Sequence, residues 1–521
     1  MNSTIGTPEF ADTLMVGRLD SFGVAVRYTR AEGTKLYYVD DDGAEVAVLD
    51  GVSGFGSLMF GHNNPEIVEH AKSLLDQRIP VHAQMAGYSL ALNVATELNK
   101  IIRRELETED KFFALFGNTG AEAVEIAIKH AEFDRVSRVA ALKADVAAHV
   151  EQARAAAAGG AVLSAAAAAV AGGQDIERLT AEVARRSAEA ESRPPLLLAL
   201  ESGFHGKLVS SVQLTYNPMF RAPFAALAAQ TRFIPREQPE MIAKVVEQDR
   251  VAVLDLVVTA GPAGVIDVVE RDFPVFTAFM IEPIMGEGGI HPLSAELGRA
   301  LREACDAIGV PLVADEIQSG MGRAGTFLSG TQIGLRPDYI ILAKALGGGI
   351  AKLGVVLINE HRYHGDLEFL HSSTFGKDGF SSGIALKVLE MLEADDGAAY
   401  RQAAERGEKT IAMMEAIRAD YPDCVKEVRG KGMILGFEFE DQSGSASPAV
   451  AESAKQGVLQ LHIIRHLFRK HRFRVARTAS SPWTVRFEPS IHLSDEDIAQ
   501  VDVAFRDVCD ILRSGDTSRF E

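Results

Sequence analysis

PLVADEIQSGMGRAGTFLSGTQIGLRPDYIILAKALGGG, residues 311–349, holds two short apolar runs, PLVAD and YIILAK, each ending in a charged residue, Asp315 and Lys344. Runs of this length, rich in Val, Ile and Leu and bounded by Gly and Pro, read as buried parallel strands. Ligands of open α/β sheets sit outside the carboxyl ends of the strands, where both charged residues fall. An isolated Asp and Lys in these positions would read as a strand-end salt bridge. Side by side they also suit pyridoxal 5'-phosphate: a Lys forms its Schiff base and an Asp pairs with its pyridinium nitrogen. The flanking sequence decides between these readings.

Upstream lies an amphipathic helix, LSAELGRALREACDAIGV, preceded by the strand and loop FTAFMIEPIMGEGGI. Glu282 ends that strand, and Glu287 sits in a Gly-rich loop able to approach a ligand closely. Before it, LLLAL runs into Ser202-Gly203-Phe204-His205-Gly206, which puts an aromatic ring and an imidazole at a strand end. A planar ring there can stack on a planar cofactor. Earlier still, KFFALFGNTGAEAVEIAIKHAEF reads as a strand, a Gly-containing turn and a helix. Its helix start, at Thr119-Gly120-Ala121, is the place for a phosphate, because backbone N–H groups and the helix dipole both favour an anion. The recurring order of strand, helix and strand predicts a mostly parallel, doubly wound α/β sheet.

After Lys344 come Gly347-Gly348-Gly349, a strand near Leu353–Ile358, the polar segment HSSTFGKDGF with Thr374, and a helix over about 381–393. His361 and His364 read as surface residues. From about residue 398 the composition shifts to a smaller α+β unit. A helix over 400–421 leads to a strand pair around Gly430–Gly432 and a further helix. A strand over 484–488 precedes a final helix capped by Ser494, with Glu496 behind it. At the other end, LYYVDDDGAEVAVLD reads as a hairpin, and GHNNPEIVEHAKSLLDQ as an Asn-capped helix with Pro65 near its start. A second helix is expected from Tyr88 to Leu106. The expected division is an N-terminal segment 1–80 contributing to the small domain, a large domain 81–395, and a C-terminal domain 396–521.

Residues 137–193 break this pattern. Alanine dominates, with Gly159-Gly160 and Gly172-Gly173 as punctuation. The expectation is two or three helices with glycine turns, forming a solvent-facing excursion or an arm that docks a protein partner or covers a pocket.

At 521 residues, with 47% apolar and 24% charged side chains, the chain is a globular protein large enough for more than one domain. A formal charge of −19 argues against a nucleic-acid surface. The one basic cluster, Arg465 to Arg477, reads as a solvated helix and edge strand. No apolar run approaches a membrane span of about 20 residues. Cys305, Cys424 and Cys509 are scattered, which fits a reducing compartment, and the N-terminus reads as lacking a secretory signal, so a cytoplasmic location is expected.

NTGAEAVE, FHG, IEPIMGEGG, VADEIQSGMGRAG, PDYIILAKALGGG and TFG stand in an order and spacing that resemble the class III, ornithine-aminotransferase-like aminotransferases, which are pyridoxal-phosphate enzymes of fold type I. The resemblance runs from about residue 34 to the C-terminus, apart from the alanine-rich stretch. It implies that Lys344 is the Schiff-base lysine and the base for the 1,3-proton shift. Asp315 would hold the ring nitrogen protonated, with Gln318 near the ring hydroxyl and Glu282 beside the cofactor. Phe204 would stack on the ring with His205 nearby, and Thr119, Gly120 and Ala121 would hold the phosphate. Thr374 would reach the phosphate of a neighbouring subunit, implying a homodimer with shared sites.

Arg486 falls where some members bind a substrate carboxylate, and Glu287 where those members mask that arginine. Phe55, Met59, Gln84 and Tyr88 fall where acceptor choice is set. Two departures stand out: TFGKDG replaces the family's TFGGNP, and IAKLG, around Lys352, replaces a segment that often holds proline. The implied activity is ping-pong transfer of an amino group from an amino acid to an aldehyde or ketone. Racemisation, an internal amino shift or decarboxylation on the same fold is an alternative, as is a non-catalytic assembly component using the alanine-rich arm.

Overall fold

Asp315 and Lys344 are set by two neighbouring strands, Leu312–Asp315 and Tyr339–Leu342, which pair in parallel with Asp315 opposite Ile341. All eight strand residues are buried, as expected of strands covered on both faces. A computed structural model of the chain describes residues 11–82, 87, 89–259 and 264–520.

The central sheet has seven strands in the order Phe112–Gly117, Gly354–Asn359, Tyr339–Leu342, Leu312–Asp315, Phe276–Ile281, Leu196–Leu200, Gln230–Ile234. Gly354–Asn359 runs antiparallel to both of its neighbours, while the other pairings are parallel. Consequently the ends of four strands deliver Glu282, Asp315, Lys344 and the 201–206 turn to one edge. The sheet is therefore the mostly parallel, helix-flanked arrangement of fold type I.

Two smaller sheets flank this core. Val425–Lys431, Ile434–Phe439, Thr484–Phe487 and Ala476–Arg477 form an antiparallel sheet. The N-terminal hairpin, Lys35–Val39 with Glu45–Asp50, gains Tyr28–Glu32 on one side and the C-terminal strand Phe473–Arg474 on the other. Chain segments more than 400 residues apart thus share one sheet, and Arg474 pairs with Asp50 at 2.8 Å across it.

Several local details follow the sequence chemistry. Asn64 caps the helix Pro65–Asp76 by accepting from the amides of Glu66 and Ile67. The second helix spans Ser89–Glu105, ending one residue before the expected Leu106, and the expected start at Tyr88 lies outside the described residues. The helix Gly379–Asp420 is interrupted at residues 394–397 by non-helical backbone, which matches the two helices read in the sequence. Its cap is Asp378, whose carboxylate accepts from the Ser381 amide at 2.7 Å, so the aspartate of TFGKDG has a structural use. The last helix, Asp495–Ser514, starts with Ser494 in a capping box, but the reciprocal side chain is Asp497, not Glu496. His364 is also not a surface residue: half-buried, it sits 3.0 Å from Asp134 and packs against the His130 ring.

The alanine-rich stretch differs most from expectation. No break occurs at residue 137; one helix runs from Gly120 to Ala158. Two more follow, Ala165–Ala171 and Ile176–Glu191. They do not stand in solvent. A long hairpin, Val251–Thr259 with Val265–Phe273, packs on them and adds the short strand Val162–Leu163 in parallel. Ala153, Ala167, Leu179 and Val183 are buried together with Leu254, Leu256 and Ile266. His149 and Arg271 converge on buried Asp255 at 2.9 and 3.1 Å. The excursion is therefore an α/β unit closed by its own hairpin, because its small side chains let helix and strand approach closely.

Candidate active site

Four strand ends converge, and their polar residues interlock. His205 Nδ1 lies 2.8 Å from Asp315 Oδ2, and both side chains are buried. The other Asp315 oxygen accepts from the Ile317 amide at 3.2 Å. Burial opposes a charged His205, but the hydrogen bond to Asp315, with the charges of Asp315 and Glu282, outweighs it and raises the imidazole pKa. Glu282 is buried next to them and accepts from the amides of Phe204 (2.8 Å) and Gly286 (2.9 Å). Burial, reinforced by the Asp315 charge, pushes its carboxyl up to about 7.

Lys344 follows the strand Tyr339–Leu342 with a left-handed φ of 45°, a conformation that a non-glycine residue holds only where its surroundings fix it. Burial lowers the pKa of its amine, and Arg486 lowers it too, against opposing pulls from Glu488, Asp315 and Glu282. A depressed pKa is what a nucleophilic lysine needs, since the protonated amine has no free electron pair.

The helix Gly120–Ala158 points its N-terminus at the same edge. A Cβ on Gly120 would lie 3.0 Å from Ile317 and 3.4 Å from Ala343. Thr119 spends its hydroxyl as the cap, accepting from the Glu122 amide at 3.2 Å. Among the described residues the amides of Gly120 and Ala121 have no intramolecular acceptor, as the first turn of a helix dictates. Thr374 is exposed, and its neighbour Ser373 accepts from Asn118 of the same chain at 2.6 Å.

Gln318 donates to the Phe55 carbonyl at 3.4 Å and to Glu488 Oε2 at 3.3 Å. Gly286 lies so close that a Cβ there would meet the Gln318 oxygen at 1.5 Å, so this position admits no side chain without rearrangement. Arg486 is fully buried, with Nη2 2.6 Å from Glu287 Oε1 and Nη1 3.9 Å from Glu488. None of its three nitrogens is aligned for a hydrogen bond, so it is held by charge alone. Glu287 is fixed from the other side by the Ala479 amide at 2.8 Å. The Phe55 ring lies 5.2 Å from the guanidinium, on a residue with a φ of 56°.

The structure thus brings together Lys344, Asp315, His205, Glu282, Gln318, Glu287 and Arg486, with Phe204 at the mouth and the Thr119–Ala121 turn alongside. Met59 is buried, Lys352 is exposed, and Gln84 and Tyr88 lie outside the described residues. Glu488 was not singled out in the sequence. Its signal is there: Phe487-Glu488-Pro489 repeats the strand-end pattern of Ile281-Glu282-Pro283.

Two open helix amides, a half-buried lysine and a paired Asp and His fit a phosphorylated aldehyde with a ring nitrogen. The comparisons agree. The family description Aminotransferase class-III matches residues 20–470, most of the chain. The chain belongs to the class-III aminotransferase family. Its fold is shared with the ornithine aminotransferase of Toxoplasma gondii, at 17% identity, covering 95% of this chain and 92% of that one with a TM-score of 0.65. An amine transaminase from an uncultivated Pseudomonas species is 18% identical, covering 93% and 94%, with a TM-score of 0.66. A Bacillus anthracis aminotransferase is 19% identical, covering 96% and 99%, with a TM-score of 0.67. Pyridoxal 5'-phosphate is the cofactor of this class-III aminotransferase, and its reaction is transfer of an amino group. No described helix is long and apolar enough to cross a membrane.

Proposed function

We propose that this aminotransferase accepts both a carboxylate-bearing amino donor and a partner without a carboxylate, an aldehyde, ketone or amine, in one site. The observation that carries this reading is the buried Arg486 facing Glu287 at 2.6 Å without hydrogen-bond alignment. A guanidinium with unused donors binds a carboxylate bidentately. Left alone in the interior it would be costly, so Glu287 supplies a partner when the substrate brings none.

When bound, pyridoxal phosphate supplies an aldehyde for the amine and a conjugated ring that takes up the electron pair released at the substrate carbon. The chain supplies the rest. Lys344, its pKa depressed, holds the cofactor and carries the proton between substrate carbon and cofactor. Asp315, oriented by His205, keeps a positive charge on the ring nitrogen. Phe204 and Gln318 would help to hold the ring, and Glu282 fixes the Phe204 and Gly286 backbone. The amides of Gly120 and Ala121, with Thr119, hold the phosphate. We further propose a homodimer in which Thr374 reaches the neighbouring phosphate; its exposure beside the Asn118 turn supports this. A small domain shared by both chain ends fits the pairing of Phe473–Arg474 with the N-terminal hairpin. Three free cysteines support a cytoplasmic location.

Kinetics of Arg486→Ala test the reading. KM for an amino-acid donor is expected to rise at least ~10-fold, while KM for an amine lacking a carboxylate changes little. Equal effects on both would contradict it.

A further inference from the structure

The basic stretch RHLFRKHRFRVAR, residues 465–477, is not the solvated surface expected of its first half. His466, Leu467 and Phe468 are buried, and the helix that carries them, Leu459–His471, packs on the last helix, Asp495–Ser514. Between the two helices stands a cluster of His466, His471 and Asp507. Each imidazole places its Nε2 2.8 Å from the same carboxylate oxygen, Asp507 Oδ2. The three ligand atoms all lie within 4.8 Å of one another.

Two cations share the carboxylate. Lys470 Nζ lies 2.9 Å from Oδ2 as well, and Arg519 Nη2 lies 2.5 Å from Oδ1. Oδ2 is therefore approached by three nitrogens, although it has only two lone pairs. A single cation among these groups would take one lone pair from Oδ2 and one from each Nε2, with each ring proton moved to Nδ1. Two imidazoles and a carboxylate suit zinc-type ions, whereas calcium and magnesium want oxygen alone. His471 is the last residue of its helix, where the macrodipole favours positive charge. Lys470 opposes a second cation, but its side chain is half exposed and such a pair contributes little, so it can swing into water. Arg519 holds the other oxygen and leaves Oδ2 to the ion.

We propose that His466, His471 and Asp507 bind a divalent cation of the zinc type, with a position left to water, at a site that shares no residue with the amino-transfer site. The ion ties helix Leu459–His471 to helix Asp495–Ser514. It also steadies the C-terminal turn Thr517–Phe520, which docks there through Arg519 on Asp507 and through the Phe520 ring, 5.4 Å from that of His466. Its role is to stabilise the small domain.

The test uses the full, cofactor-loaded chain, stripped of metal with a chelator, desalted and titrated with zinc chloride. Metal retained through gel filtration is counted by atomic emission. One zinc per chain is expected, with a Kd of about 10 µM or tighter. At a tenfold excess over Kd the melting midpoint should rise by about 2 °C. His471→Ala and Asp507→Asn should each weaken binding at least ~10-fold and abolish the shift. Lys470→Ala, which removes a competing charge from an exposed side chain, should instead bind zinc at least ~3-fold more tightly. An ion-pair network with no metal role would gain nothing from that change. No zinc retained by the wild type would overturn the inference, as would zinc retained equally by His471→Ala and Asp507→Asn. Unchanged or weaker binding by Lys470→Ala would overturn it too, and that variant keeps the test open if the other two fail to fold.

Discussion

The sheet edge around Asp315 and Lys344 and the excursion formed by residues 137–193 and 251–273 are buried to similar depth but by different chemistry. At the edge the interior is polar: Asp315, Glu316, Gln318, Ser319, Arg323 and Ser329 are all buried. Arg323 alone donates to the carbonyls of Gly56, Met433, Glu488 and Pro489. Glu316, pushed up by burial, is held by Ser329, Ser319 and the Gly330 amide. In the excursion the buried side chains are mostly alanine, leucine and valine, with Asp255 as the one buried carboxylate among the described residues, and other ion pairs lie outside, such as Lys143–Glu191 and Arg185–Glu182. Buried polar groups cost free energy unless each finds a partner. A chain carries such a cluster where chemistry requires it. The contrast teaches that substitutions at the edge should cost activity before stability, and substitutions in the excursion the reverse.

The sharpest attempt to break this contrast is Lys344→Ala. Amino transfer should fall at least ~10³-fold, because the proton carrier is gone, while the cofactor-free protein melts close to wild type. Rates and melting curves on the same preparation check both halves. Next comes Ala153→Leu, at a fully buried position of the excursion. Overpacking should destabilise by about 1–3 kcal/mol, with kcat unchanged. A lower kcat at unchanged stability would show that the excursion acts on the site.

The smallest expected effect sharpens the picture of the edge itself. Glu282 has a folded pKa of about 7, above the ordinary value of 4.5. A raised folded pKa means that its contribution to stability is fully present below pH 4.5 and is lost as pH rises through about 7. Thermal melting of cofactor-free wild type and Glu282→Gln, compared from pH 5 to pH 8, should therefore show the variant gaining on the wild type as pH rises. A constant gap would contradict the buried, protonated carboxyl.

The same contrast explains what the sequence let one read. Asp315, Lys344 and Glu282 stand at the ends of short apolar runs, where side chains leave the sheet at its ligand edge, so strand ends alone located them. The His205–Asp315 bond was not legible, because it joins two strands by a three-dimensional approach that spacing does not encode. Glu488 escaped notice because the strand before it belongs to another sheet. The hairpin 251–273 escaped because alanine helices signal only their propensity and say nothing about what covers them. The carboxylate Asp255 inside VAVLDLVVT is buried and held by half-buried His149 and Arg271, partners that come from the helix Gly120–Ala158 and the facing strand.

The central claim is that Lys344 carries the cofactor at this edge. Borohydride reduction of the pyridoxal-phosphate-loaded protein, followed by peptide mass mapping, tests it most directly. The account predicts one reduced cofactor per chain, on the peptide containing Lys344 and absent from Lys344→Ala. Attachment at another lysine, or undiminished labelling of that variant, would contradict it.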